Sequence, residues 1–215
     1  MDMKKIMLAL LFTGCLLVSK AQMNYTSETD VFNIKTVSFY GFDYTRLRIV
    51  DENRIGQPLK KFLFNLNIFL GKQIPKKKMQ AWLRKDTVQM DIAHSAVMND
   101  AIVNGRIASM DPYIFPKDSL NSFISGYRLN TKEGIGYSII FESFNKADKT
   151  VSAYLVFFDI ATKKVIYHEY ERSLNRNSYN YVNDWKPAAL EAATHLFEKY
   201  RAKRKAYLKS IAPAK

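Results

Sequence analysis

Between residues 137 and 171 the chain carries three β-forming runs separated by two short polar connectors, and this stretch limits the fold more than any other. The runs are YSIIFESFN (137–145), TVSAYLVFFDI (150–160) and VIYHEYE (165–171), joined by KADK and ATKK. β-branched and aromatic runs with tight polar joints read as antiparallel hairpins in series. In the middle run both alternating sets are apolar, Val151, Ala153, Leu155 and Phe157 on one side and Tyr154, Val156, Phe158 and Ile160 on the other. A strand of that kind lies in the centre of a sheet and is covered on both faces. The third run turns polar at His168, Glu169 and Glu171, as an edge strand does.

Ahead of the runs, VFNIKTVSFY (31–40) alternates apolar with polar and predicts a first strand. Pro58 opens a helix, with Leu59, Phe62, Leu63, Leu66, Phe69 and Leu70 at helical spacing before Gly71. Phe64 and Ile68 widen that stripe, which predicts a helix largely buried against the sheet. A shorter helix is expected over 75–84 with Met79, Trp82 and Leu83 inward, then a strand over 87–93. A further helical pattern at 94–104 places Val97, Met98 and Ala101 inward, and Asp118 or Ser119 caps a short helix through Leu120, Phe123 and Ile124 to Gly126. Asn183-Asp184 caps the longest helix, which holds Pro187 in its first turn and shows the stripe Trp185, Ala188, Ala189, Ala192, Leu196 and Tyr200. Its end is basic and is expected to fray from about residue 203. The fold class expected is α+β: one domain, a mixed β-sheet with a C-terminal antiparallel three-stranded meander, packed against helices that include the long C-terminal one.

The N-terminus reads as a secretory signal peptide. Lys4 and Lys5 precede an apolar run over 6–18, and Ser19-Lys20-Ala21 places small residues before a cleavage point at Ala21, leaving 22–215 as the single domain. The apolar run is too short to span a bilayer comfortably. Cys15, the chain's only cysteine, sits in Leu11-Phe12-Thr13-Gly14-Cys15, a loose lipobox. Phe12 and the continuing apolar Leu16-Leu17-Val18 favour soluble export over lipid anchoring. With cleavage after Ala21 the mature chain has no thiol for disulfides, catalysis or metal binding.

The formal net charge is +13, and cleavage removes only Lys4, Lys5, Lys20 and Asp2, so the domain stays basic. In an exported protein this points to anionic envelope components or a partner protein, with no specific nucleic acid; high charge also serves solubility. The cations gather in two places. Lys76, Lys77 and Lys78 lie in a stretch with no acidic residue between Glu52 and Asp86, and Arg201, Lys203, Arg204 and Lys205 end the last helix. These seven are the candidate anion- or partner-binding residues.

Catalytic and cofactor motifs are missing. His94, His168 and His195 have no ligand partner at metal spacing, and no HExxH or GxSxG occurs. Gly134-Ile135-Gly136 leads into a strand and fails the dinucleotide-binding context. No metal or cofactor is expected. The carboxylates most able to meet are Glu142 and Asp159 on neighbouring strands, and with His168 they define the alternative reading, a periplasmic hydrolase.

Residues 134–169, followed by a helix that opens near Trp185, resemble a family of uncharacterised exported proteins from Bacteroidetes, a domain of unknown function. The shared features are Glu142, Phe144, Asn145 and Lys146, then Phe157-Phe158-Asp159, then Thr162. The helix start departs, with Asp184 between Asn183 and Trp185, and NRNSYNY (175–181) replaces a Gly-rich segment. The resemblance implies export and fold, and it carries no active site across.

Overall fold

The computed structural model describes residues 24–50, 59–102, 107–111, 114–116, 118–174 and 185–212. The leader with Cys15, Pro58, Gly105, the 175–181 loop and the Asn183-Asp184 cap lie outside the described residues.

The first element departs from the expected strand. Residues Glu28–Asn33 form a helix, α1, because Asp30 folds back and its Oδ2 accepts the backbone N–H groups of Thr26 and Ser27, each at 3.0 Å. Val31 and Phe32, adjacent in sequence, are both buried, which a strand with one covered face would not do. Strand β1 (Thr36–Asp43) and the short β2 (Arg48–Val50) follow. Helices α2 (Leu59–Gln73) and α3 (Lys76–Leu83) lead to β3 (Thr87–Met90), α4 (Ala93–Asp100), β4 (Ala108–Ser109) and α5 (Ser119–Ser125). Strands β5 (Ile135–Asn145), β6 (Thr150–Asp159) and β7 (Val165–Leu174) precede α6 (Trp185–Ser210).

The α+β expectation is overturned. Along the path β3-β1-β5-β2-β4 every pairing is parallel, so the frame of the sheet is parallel and the class is mixed α/β, not an antiparallel meander with helices laid on it. On that frame β6 is added antiparallel to β5, and β7 antiparallel to β6. Parallel strands need long crossover connections, and α2 with α3 lies in the one that leads from β2 across the sheet to β3, which pairs with β1. Strand β5 is the hinge of the arrangement. β6 takes one of its edges over the full length, while β1 and β2 share the other end to end, β1 against 136–140 and β2 against 143–145.

Both faces of β5 and β6 are buried throughout. One face carries the main core, where Tyr137, Phe141 and Phe157 meet Leu66, Met79, Leu196 and Tyr200 from the helices. Aromatic rings continue from strand to helix, Tyr137–Phe157 at 5.2 Å and Phe157–Tyr200 at 5.3 Å between centroids. The opposite face holds a smaller core of Tyr40, Tyr154, Val156 and Phe158 under α5 and Phe115. Gly136 permits this packing, since a Cβ there would lie 2.6 Å from the Phe158 ring and 2.7 Å from that of Tyr40.

Two helices differ from their expected faces, and a third from its expected length. On α2 the buried stripe is Leu59, Phe62, Leu63, Leu66 and Leu70, whereas Phe64 is 65% and Ile68 41% exposed. On α4, Val97 and Met98 point to solvent; Asn99 faces inward instead, donating from Nδ2 to the Phe42 carbonyl at 2.8 Å and accepting the Tyr44 N–H at 2.9 Å. Helix α6 does not fray near 203 but continues through Ser210.

Candidate anion-binding surface

Helix α3 starts after Pro75 with Lys76, Lys77 and Lys78, all exposed, and no acidic residue in its first turn. Cations at a helix N-terminus oppose its dipole at about 0.3–1 kcal/mol each, so their placement is not explained by the helix itself. Lys78 is partly occupied, with Nζ donating to the Gln73 carbonyl at 3.0 Å and resting 4.6 Å over the Trp82 ring. For Lys76 and Lys77 no ion pair occurs among the described residues.

The other end of α3 sorts two adjacent cations into opposite environments. Arg84 is the C-cap in the left-handed conformation, φ 56° and ψ 46°, and its N–H reaches the Gln80 carbonyl. This turn leaves Arg84 exposed and carries Lys85 inside, where it is 5% exposed. Lys85 Nζ donates to the carbonyls of Val31 and Ile34, the latter at 2.8 Å, and Arg204 Nε donates to that of Phe32 at 3.1 Å. The open carbonyls at the end of α1 are therefore capped by two cations. Burial first, then repulsion from Arg204 and Lys35, pull the Lys85 amine down to about 7.

Arg84 then joins α6. A groove of about 510 Å³ between the end of α3 and α6 is lined by Arg84, Arg201, Arg204 and Lys205, with Glu198, Ala202 and Leu208 completing it. Arg84, Arg201 and Lys205 have no ion pair among the described residues, so one acidic side chain, Glu198, stands among four cationic ones.

Of the seven candidate residues, Arg201, Arg204 and Lys205 share this groove, with Arg204 also spent on α1. Lys203 points elsewhere, into a hollow with Glu28, Asp118, His168 and Glu169 along the edge of β7. Lys76–Lys78 begin α3 about 12 Å from Arg84, at 1.5 Å per residue, and do not line the groove. Arg84 lies in the same acid-free stretch as Lys76–Lys78 but is not among the seven candidates; its position just past the end of α3 was the available signal.

The alternative set does not assemble. Asp159 pairs with Ile135 in the β5–β6 register, whereas Glu142 sits at a bulge opposite Ser152 and Ala153, about 20 Å away along the strands. Glu142 is buried and fully used: Oε1 accepts the Phe115 N–H at 2.6 Å and the Tyr154 hydroxyl at 3.4 Å, and Oε2 the Tyr170 hydroxyl at 2.9 Å. Asp159 Oδ1 accepts the Thr162 N–H and hydroxyl at 2.6 and 2.7 Å, closing the β6–β7 turn, and Oδ2 accepts the Tyr25 N–H. His168 is exposed beside the Tyr154 ring.

A cluster not foreseen from the sequence ties β7 to α6. Glu171 Oε1 meets Ser173 Oγ and His195 Nδ1, each at 3.1 Å, and Oε2 meets Lys199 Nζ at 2.7 Å. Burial alone would raise the Glu171 carboxyl, but Lys199, His195 and Ser173 bind its charged form and hold it below the usual range. The residue types suggest a Ser-His-acid triad, yet Ser173 and Glu171 both address the same imidazole nitrogen, Nδ1, and Ser173 is buried. A triad needs nucleophile and acid on opposite nitrogens of the base, so this is a structural clasp. Among the described residues no group of His, Cys, Asp and Glu is placed to hold a metal ion, and no helix is long and apolar enough to cross a membrane.

No family model matches this chain, and no curated protein does. Among solved structures, a hypothetical protein from Chlamydia trachomatis aligns over 81% of this chain and 98% of its own, at 12% identity and a TM-score of 0.33, too low to place the two in one fold.

Proposed function

We propose that this is an exported, non-enzymatic envelope protein that binds an anionic component through its basic helical surface. The observation that carries the reading is the groove in which Arg84, Arg201 and Lys205 converge without ion-pair partners among the described residues. Guanidinium pairs recognise phosphate and carboxylate in a planar, bidentate way, and an open groove on two rigid helices holds them in register for it. Lys76, Lys77 and Lys78 add a second cationic site on the same helix α3. The leader pattern at 1–21 supports export, and the occupied state of Glu142, Asp159 and Glu171 supports a role without catalysis.

Retention on heparin and on phosphatidylglycerol vesicles, followed across salt concentration, tests the reading. Binding is expected to weaken steeply with salt. Reversing Arg84, Arg201 and Lys205 to Glu is expected to lower affinity at least about tenfold, with a further loss on reversing Lys76–Lys78. Unchanged affinity in both charge-reversed proteins contradicts the proposal.

A further inference from the structure

The exposed side of α2 carries a pattern that the groove does not use. Lys61, Phe64, Ile68 and Lys72 step by three, four and four residues, which sets them in one line along the helix. All four are exposed, and the helix has no acidic residue. The core is already served by Leu59, Phe62, Leu63, Leu66 and Leu70 on the other side, so Phe64 and Ile68 stand outside it, 65% and 41% exposed. Scattered exposed apolar residues are ordinary on a protein surface, but a Phe–Ile pair one turn apart, bracketed by lysines at both ends, is a patterned face. A shallow hollow of about 150 Å³ between α2 and α4 adjoins the line, with Phe64 in its lining and the Lys60–Asp100 pair beside it.

We infer that the Lys61–Phe64–Ile68–Lys72 line of α2 is a membrane contact that seats Phe64 and Ile68 in the surface of an anionic bilayer. The inference rests on the proposed reading that the partner is an anionic envelope component, and it names that component as lipid. Charge complementarity selects this occupant. A line with an apolar centre and cationic ends fits a layered partner, hydrocarbon below and anionic headgroups at the rim, because lysine stems lie along the apolar layer while their ammonium groups stay among the phosphates. Lys76, Lys77 and Lys78 follow directly after α2, and an anionic plane there relieves the repulsion they suffer at the start of α3. The contact is shallow: two apolar side chains and a few lysines give reversible binding that needs both terms.

Phe64→Trp gives the readout, taken as a difference against the wild-type spectrum because Trp82 and Trp185 also emit. With vesicles of phosphatidylglycerol and phosphatidylcholine, the F64W emission is expected to shift to the blue and to be quenched by bromine-labelled acyl chains, with no change on pure phosphatidylcholine. Phe64→Ser with Ile68→Ser, both at exposed positions, is expected to keep the thermal midpoint and to lower vesicle partition about tenfold or more. Salt-sensitive vesicle or heparin binding with an unshifted F64W spectrum overturns the α2 contact and leaves the anionic reading standing. So does a blue shift produced only by an acidic protein, which would make the occupant a polypeptide. Loss of both heparin and vesicle binding in the wild-type protein overturns the two together.

Discussion

The interior of the sheet and the outer ends of α3 and α6 treat charge in opposite ways. Within the sheet, Glu142 and Asp159 accept donors from segments far away in sequence, Glu142 from Phe115 and Tyr170, Asp159 from Tyr25. At the helix ends, Arg84, Arg201 and Lys205 form no ion pair among the described residues, with Glu198 as the one acidic side chain in their groove. The divide can fall between neighbours, since Arg84 is exposed and Lys85, the next residue, is buried against two carbonyls. A buried charge with its hydrogen bonds made fastens one segment to another, and losing it leaves desolvated partners behind. An exposed charge without a partner adds little to folding and remains free for a ligand.

The largest effect is expected at Glu142. Glu142→Ala leaves the Phe115 N–H and the Tyr170 hydroxyl without their acceptor, while the Tyr154 hydroxyl keeps the Phe115 carbonyl at 3.2 Å, and a loss on the order of 3 kcal/mol is expected in urea unfolding. A loss below about 1 kcal/mol would show that the buried carboxylate does not hold the 114–116 segment to the sheet.

Lys85 gives a smaller effect with a definite sign. Its amine is ordinarily protonated up to about 10.5 but in the fold is held down to about 7, mainly by burial. Between those values the unfolded chain binds the proton and the folded one does not, so stability should rise with pH from about 7 toward 10 and be lowest, for this group, below 7. Above about 10 the trend should reverse. Burial keeps the Tyr44, Tyr127 and Tyr137 hydroxyls protonated in the fold, while the unfolded chain releases those protons. Lys85→Met is expected to flatten the rise between 7 and 10 in denaturant midpoints; an unchanged slope would assign it to other groups.

How much of this was legible in the sequence follows the same divide between buried and free. The double-sided apolar pattern of 150–160 correctly marked a strand covered on both faces, because burial is written in periodicity. Strand direction is not. Nothing in VFNIKTVSFY or TVQM says that β1 and β3 run parallel to β5, and the fold class was misread on that point. Alternation also hid α1, although Ser27 and Asp30 stand at capping-box spacing, one before the helix and one in its first turn. Phe64 and Ile68 were assigned to the core because a helical stripe is judged from composition, while the real stripe is set by what packs on it. The basic clusters were plain in the sequence, but that Arg84 would meet Arg201 and Lys205, and that Lys203 would turn away, depends on the α3–α6 contact. Glu142 and Asp159 looked like neighbours because adjacent strands were known and their register was not.

Amide chemical-shift mapping during titration with pyrophosphate separates a working surface on the basic helices from one on the sheet. Saturable shifts are expected at Arg84, Arg201, Ala202, Lys205 and Leu208, reduced by salt, with the amides of Glu142, Asp159 and His168 unmoved. Shifts centred on His168 and the edge of β7, or none at the groove at concentrations where polyanions bind, would contradict it.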